Sequence, residues 1–201
     1  MRVKKIEMLI SSGDFSLSED FQDVRANILL GIEAVEWFTP QEFTINPTPK
    51  GNGVKPIKEN FITTLRELGW RTEQSMSIVD GVGAGPIDAV KDTAFGKFAV
   101  EWETGNVSSS HRALNKIAAG IIHGHIIGGM LVVPVKDLAK YLTDRIGNFE
   151  ELRPYFVVYK TLNIREGVIG VIAIEHDGTD KNAPLIPKGN DGNALGRLEN
   201  T

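Results

Sequence analysis

Between Phe98 and Val133 the hydrophobic period of the chain changes twice, and this constrains its architecture more than any other feature of the sequence. Phe98, Val100 and Trp102 alternate with Ala99, Glu101 and Glu103, the period of two that belongs to a strand with unlike faces. Leu114, Ile117, Ala118, Ile121 and Ile122 then step at helical spacing, behind the capping hydroxyls of Ser108, Ser109 and Ser110. Residues 126–133 return to a short apolar run that reads as a strand. Strand, helix, strand in that order is the unit of an α/β protein.

The flanking segments agree. Phe21, Val24, Ile28, Ile32 and Val35 predict an amphipathic helix with Ser18 as its N-cap, and Ile57, Phe61, Leu65 and Leu68 predict a second that closes at Gly69. Strands are expected at 75–80, 87–91, 155–161 and 167–174, and a helix through Val135, Leu138, Leu142 and Ile146. The order predicts an α/β fold with a central mixed sheet and helices on both faces. At 201 residues there is room for one such domain, expected over 1–183. Residues 184–201, rich in Pro, Gly and Asn, read as an arm of that domain.

A hydrophobic fraction of 41% with 24% charged residues excludes a disordered chain. The longest apolar run, Ile126 to Val135, has ten residues, short of the roughly 20 that a membrane span needs. Lys4 and Lys5 precede only Met8-Leu9-Ile10, too little for a signal peptide, so a cytoplasmic protein without a membrane partner is expected. The absence of cysteine removes disulfides, thiolate nucleophiles, Fe–S clusters and cysteine zinc sites. A net charge of −4 argues against non-specific nucleic-acid binding, unless the acids gather at one site and the bases on one face.

Glu101 and Glu103, two apart on one strand, project from the same face while Trp102 turns to the other. Hairpin pairing with the preceding strand would bring Asp88 beside Glu101, and three carboxylates on one face suit the oxygen preference of Mg²⁺. The glutamate pair taken alone fits the solvated face of an edge strand equally well. Gly81-Val82-Gly83-Ala84-Gly85-Pro86 is read as a tight turn: a strand follows it where a phosphate loop needs a helix, so no nucleotide cofactor is expected. His123-Gly124-His125 reads as surface histidines at a helix end. Asn106, Ser108, Arg112, Asn115 and Lys116 form a polar cluster around the helix that follows the carboxylate strand. Asp144-Arg145 could read a G·C pair, although on sequence alone a salt bridge at a helix end is the favoured explanation.

Longer strings are more specific. Phe43-Thr44-Ile45-Asn46, Pro56-Ile57-Lys58-Glu59, Gly85-Pro86-Ile87-Asp88, Glu101-Trp102-Glu103-Thr104-Gly105-Asn106, Tyr141-Leu142-Thr143-Asp144-Arg145 and Pro184-Leu185-Ile186-Pro187-Lys188-Gly189 occur in one order over about residues 20–193. Together they resemble the BamHI family of type II restriction endonucleases. The resemblance implies the restriction-endonuclease fold, a homodimer embracing double-stranded DNA, and Mg²⁺-dependent phosphodiester hydrolysis with two ions per active site. Ca²⁺ would support binding without cleavage.

By motif, Asp88, Glu101 and Glu103 resemble the family's catalytic carboxylates and Glu73 the fourth acid, with Asp88, Glu101 and Glu73 as metal ligands. In the wider superfamily the last motif position is usually lysine; here it is Glu103, which leaves the general base open. Lys58, Asn106, Ser108, Arg112, Asp144 and Arg145 fall on DNA-contacting positions, and Gly189 and Asp191 on an arm that enters the minor groove. The implied site is GGATCC, cut after the first G. The rival readings are a DNA-binding protein of the same fold that does not cut, and a glycosidase using Glu101 and Glu103. The latter is disfavoured because neighbours on one strand do not face each other across a sugar.

Overall fold

The computed structural model of the chain describes residues 1–74, 85–143 and 145–188. Its elements in order are β1 (Arg2–Ser12), α1 (Glu19–Glu33), β2 (Thr44–Ile45), α2 (Lys55–Glu67), β3 (Arg71–Gln74), β4 (Ile87–Thr93) and β5 (Gly96–Trp102). There follow α3 (Val107–Ile122), β6 (Gly128–Pro134), α4 (Lys136–Ala139), α5 (Phe149–Leu152), α6 (Phe156–Lys160), β7 (Gly167–Glu175) and β8 (Gly178–Thr179). The main sheet runs β1-β7-β6-β5-β4-β3; β5, β6 and β7 are mutually parallel and the other pairings antiparallel, so the sheet is mixed. β2 and β8 form a small parallel pair.

Strand β5 divides the two faces by its alternation. Phe98 packs among Phe15, Phe21 and Trp70, and Trp102 packs at a tilt against Phe61 of α2 with 4.7 Å between ring centroids. On the opposite face Ala99 pairs with Gly129, where α3 lies so close that a Cβ on Gly129 would stand 2.9 Å from Ile117. β6 and β7 are buried along their whole length, the pattern of parallel strands covered on both sides. The expected mixed sheet with helices on both faces is what the chain forms.

The local signals hold in part. Ser18 caps α1 by accepting from the Phe21 amide, the stripe from Phe21 to Val35 is buried, and Gly69 takes a φ of 80° after α2. Helix α3 is capped two residues before the first of the serines, by Asn106 accepting from the Ser109 amide. Its stripe is buried except Ile122, which is 60% exposed at the last residue of the helix.

Two expectations are corrected. Residues 155–161 are not a strand: Phe156 and Tyr159 are buried while Val157 and Val158 face out, a helical spacing that α6 adopts. The helix expected through Val135 and Ile146 is only α4, because the carbonyls of Lys140 and Tyr141 accept instead from the amides of Lys50 and Asn52. Outside these expectations, β1 carries Arg2, Lys4 and Lys5 on a strand that among the described residues is paired on one side only, a charged edge of the sheet.

The first residues of the expected arm are docked. The amide of Gly53 donates to Ile186 O at 2.8 Å, and Trp37 Nε1 donates to Pro184 O at 3.0 Å. The strand expected at 75–80 and the turn at Gly81–Ala84 lie outside the described residues, as do Asp144, Gly189 and Asp191.

Candidate active site

The antiparallel pairing of β4 with β5 sets Ala89 against Val100, and so brings Asp88 and Glu101 together one step further along. Asp88 is locked at both oxygens: Oδ1 accepts from Lys58 Nζ at 2.6 Å, and Oδ2 accepts from the backbone amide of Trp102 at 2.8 Å. Glu101 is buried and its Oε1 is ion-paired with Lys116 of α3, whose ammonium also donates to Pro86 O at 2.9 Å. Glu103 stands just past the end of β5. Its amide donates to Val132 O at 2.9 Å and its Oε1 accepts from the Gly105 amide at 2.7 Å, so backbone and carboxylate are both fixed.

These groups line one cavity of about 360 Å³, together with Ser109, Arg112 and other residues. Helix α3 contributes Ser109, Arg112, Ala113 and Lys116, spaced three, four and seven apart, which is one helix face turned to the carboxylates. That spacing is the signal in the sequence that singles Lys116 out of the polar cluster around α3.

Burial pushes the Glu101 carboxyl above the ordinary carboxylate range, the charge of Asp88 adds to it, and Lys116 opposes both. Burial likewise raises Glu103, against the pull of the Gly105 amide and of the Lys58 and Arg112 charges. The cavity thus sets carboxylates against cations in a partly desolvated space, which suits one ligand carrying both a cation and an anionic group.

The other expected site residues fall as follows. Glu73 lies on β3 between Thr72, which pairs with Ala89, and Gln74, which pairs with Ile87; it is therefore across from Asp88. Its φ is 53°, its side chain is exposed, and it is not among the described residues that line the cavity. Lys58 sits in the first turn of α2 and is engaged by Asp88. Asn106 is the N-cap of α3, while Ser108 and Arg112 are exposed on its first two turns. Arg145 is exposed in a turn with φ 64°, six residues beyond α4, and so does not end a helix.

No group of three His, Asp or Glu side chains among the described residues is gathered as a preformed metal cage. The donors present are nonetheless hard oxygens, and Mg²⁺ sites are commonly built from one or two carboxylates completed by substrate phosphate and water. Asp88 and Glu101 fit that pattern.

The family model of the restriction endonuclease BamHI matches residues 1–193. The chain belongs to the BamHI family of restriction endonucleases. It is 44% identical over 202 residues to the type II restriction enzyme OkrAI of Oceanobacter kriegii, spanning 97% of this chain and 100% of that one. Identity to the type II restriction enzyme BamHI of Bacillus amyloliquefaciens is 38% over 190 residues, 90% of this chain and 85% of that one. A crystal structure of the restriction endonuclease BglII complexed with a DNA 16-mer superposes over 94% of this chain and 90% of the other with a TM-score of 0.62. At 12% identity that likeness speaks to the fold, which is the restriction-endonuclease fold. The class read from the motifs is borne out: a type II restriction endonuclease, a DNA-binding hydrolase. Among the described residues no helix is long and apolar enough to cross a membrane.

Proposed function

We propose that this restriction endonuclease is an Mg²⁺-dependent homodimer that hydrolyses both strands of a palindromic duplex, GGATCC, after the first G. The observation that carries this reading is the cavity in which Asp88, Glu101 and Glu103 stand against Lys58, Arg112 and Lys116. A phosphodiester with its divalent cation is the ligand that such a mixture of charges complements.

Asp88 and Glu101 would hold the cation, and Glu73 would join them as the fourth acid. Bound there, the cation supplies polarisation of the phosphate, a hydroxide near neutral pH and stabilisation of the leaving oxygen. The chain's own residues do the rest. Lys58 and the Trp102 amide fix the two oxygens of Asp88, and the Gly105 amide fixes one oxygen of Glu103, whose carboxylate lines the cavity and would accept a proton from water. The raised proton affinity of Glu103 suits that role at neutral pH. Arg112 at the cavity edge meets phosphate, and Asn106, Ser108, Asp144 and Arg145 read or position the bases, with Gly189 and Asp191 in the minor groove.

A palindrome read by identical subunits calls for a two-fold, isologous contact. The surface suited to it carries exposed Ile122 of α3 with Tyr155, Val157 and Val158 at α6, elements joined by the 3.0 Å hydrogen bond of Tyr159 to Asn115. Sedimentation at micromolar concentration should give a dimeric mass.

The function is tested by incubating the protein with a plasmid of known sequence and Mg²⁺, then sequencing the ends. Four-base 5′ overhangs at GGATCC, abolished by chelator and not restored by Ca²⁺, are the expected result. Intact plasmid would leave a DNA-binding protein that does not cut.

A further inference from the structure

Lys116 adds to the charge of the cavity but is given no role of its own in that chemistry, yet it is the most enclosed of the cations that line it. Its side chain is 11% exposed, compared with 41% for Lys58, and Arg112 is exposed. Its position is not adjustable by the backbone, since Leu114 and Ile117 on either side of it are fully buried and hold α3 against the sheet. From there the ammonium bridges two groups: the carboxylate of Glu101, and the carbonyl of Pro86, two residues before Asp88.

Two carboxylates on neighbouring strands, one of them buried, repel each other and lose solvation. Each has been given one lysine: Lys58 on Asp88 and Lys116 on Glu101. A lysine is a compact charge on a flexible four-carbon stem, suited to making such a contact and to leaving it.

Resting on the reading that Asp88 and Glu101 hold a divalent cation, we propose that Lys116 is an internal counter-ion. It occupies Glu101 while the site holds no divalent ion and gives up that carboxylate when one arrives. The affinity for the ion is thus set against a built-in competitor, and the ion-free site keeps its shape through the hold on Glu101 and Pro86. Lys116 is a positioning residue in this account, acting through Glu101.

The test is direct Mn²⁺ binding to the full chain without DNA, read from the spin-resonance signal of free Mn²⁺ at about pH 8.5, well above the ordinary carboxylate range. Lys116→Met should bind Mn²⁺ about tenfold more tightly than the parent protein, within the usual range of coupling between sites. It should also gain more in melting temperature from added Mn²⁺. Lys116→Arg, which keeps the charge, should stay near the parent. If Lys116→Met does not fold, Lys116→Gln carries the same expectation, because it too removes the charge.

Unchanged or weaker Mn²⁺ binding in the uncharged variants, with Asp88→Asn abolishing it, overturns the counter-ion proposal and leaves the metal site standing. Mn²⁺ binding that Asp88→Asn does not reduce overturns the metal site and the proposal together.

Discussion

The side-chain oxygen of Asn52 accepts the backbone amide of Ile186 at 3.2 Å, while its nitrogen donates to Asn46 O and to Tyr141 O at 2.9 Å each. One fully buried amide thereby ties the start of the C-terminal arm to the loop before α2 and to the segment that leads into Arg145. Asn52→Ala would strand the buried amide of Ile186 and the carbonyl of Asn46, while Tyr141 O keeps the Asn52 backbone amide, at a cost of about 2 kcal/mol. Urea denaturation measures it, and a loss too small to resolve would show that water replaces the side chain.

Gly53 tests the same junction from the backbone side. A Cβ added there would lie 1.9 Å from the carbonyl oxygen of Pro187, and a main-chain atom cannot yield as a flexible side chain can. Gly53→Ala should therefore undock residues 184–188 and speed limited proteolysis at that segment. Cleavage at the parent rate would mean that the arm is not held at Gly53.

Arg112 and Arg145 are expected to differ in what they read. Arg145→Ala should cost about 1–3 kcal/mol of discrimination against a changed G·C pair, the worth of one bidentate base contact. Arg112→Ala should weaken cognate and unrelated duplexes alike and lower the salt slope by about one. Filter binding on matched duplexes over a salt series checks both. Unchanged site preference in Arg145→Ala would remove it from base readout.

At the charged edge strand, Lys160 and Lys5 hold the Glu7 carboxyl down to about 2 from the ordinary 4.5, through contacts of 2.7 and 2.9 Å. A carboxylate whose folded value is depressed stabilises the fold above its unfolded value, and this contribution is lost as pH falls from about 4.5 to 2. Glu7→Gln should thus be less stable than the parent at neutral pH and converge with it near pH 2. Parallel stability curves across that window would contradict the assignment.

How much of this was legible in the sequence follows from which signals are local. Ser18, Gly69 and the alternation around Trp102 act within a few residues, so caps, helices and the division of faces in β5 could be read directly. At α6 the sequence points to a strand because Val157, Val158 and Tyr159 favour strands, whereas burial of Phe156 and Tyr159 against the rest of the protein decides for a helix. The missing turns of α4 depend on amides of Lys50 and Asn52, some 90 residues away in sequence, which no local pattern reveals. In the site, Asp88, Glu101 and Glu103 are recognisable by motif and pairing, but the Lys116 contact depends on how α3 lies against β6 and so on the sheet as a whole. Glu73 illustrates the converse: its motif match and its place across from Asp88 agree, while its side chain is exposed.

The most direct test is Asp88→Asn, assayed for cognate duplex binding in Ca²⁺ and for cleavage in Mg²⁺. Asp88 is the carboxylate that Lys58 and the Trp102 amide hold beside Glu101, and it is assigned to the metal and not to the bases. The account predicts cognate affinity close to that of the parent, with cleavage abolished. Cleavage at the parent rate would contradict it.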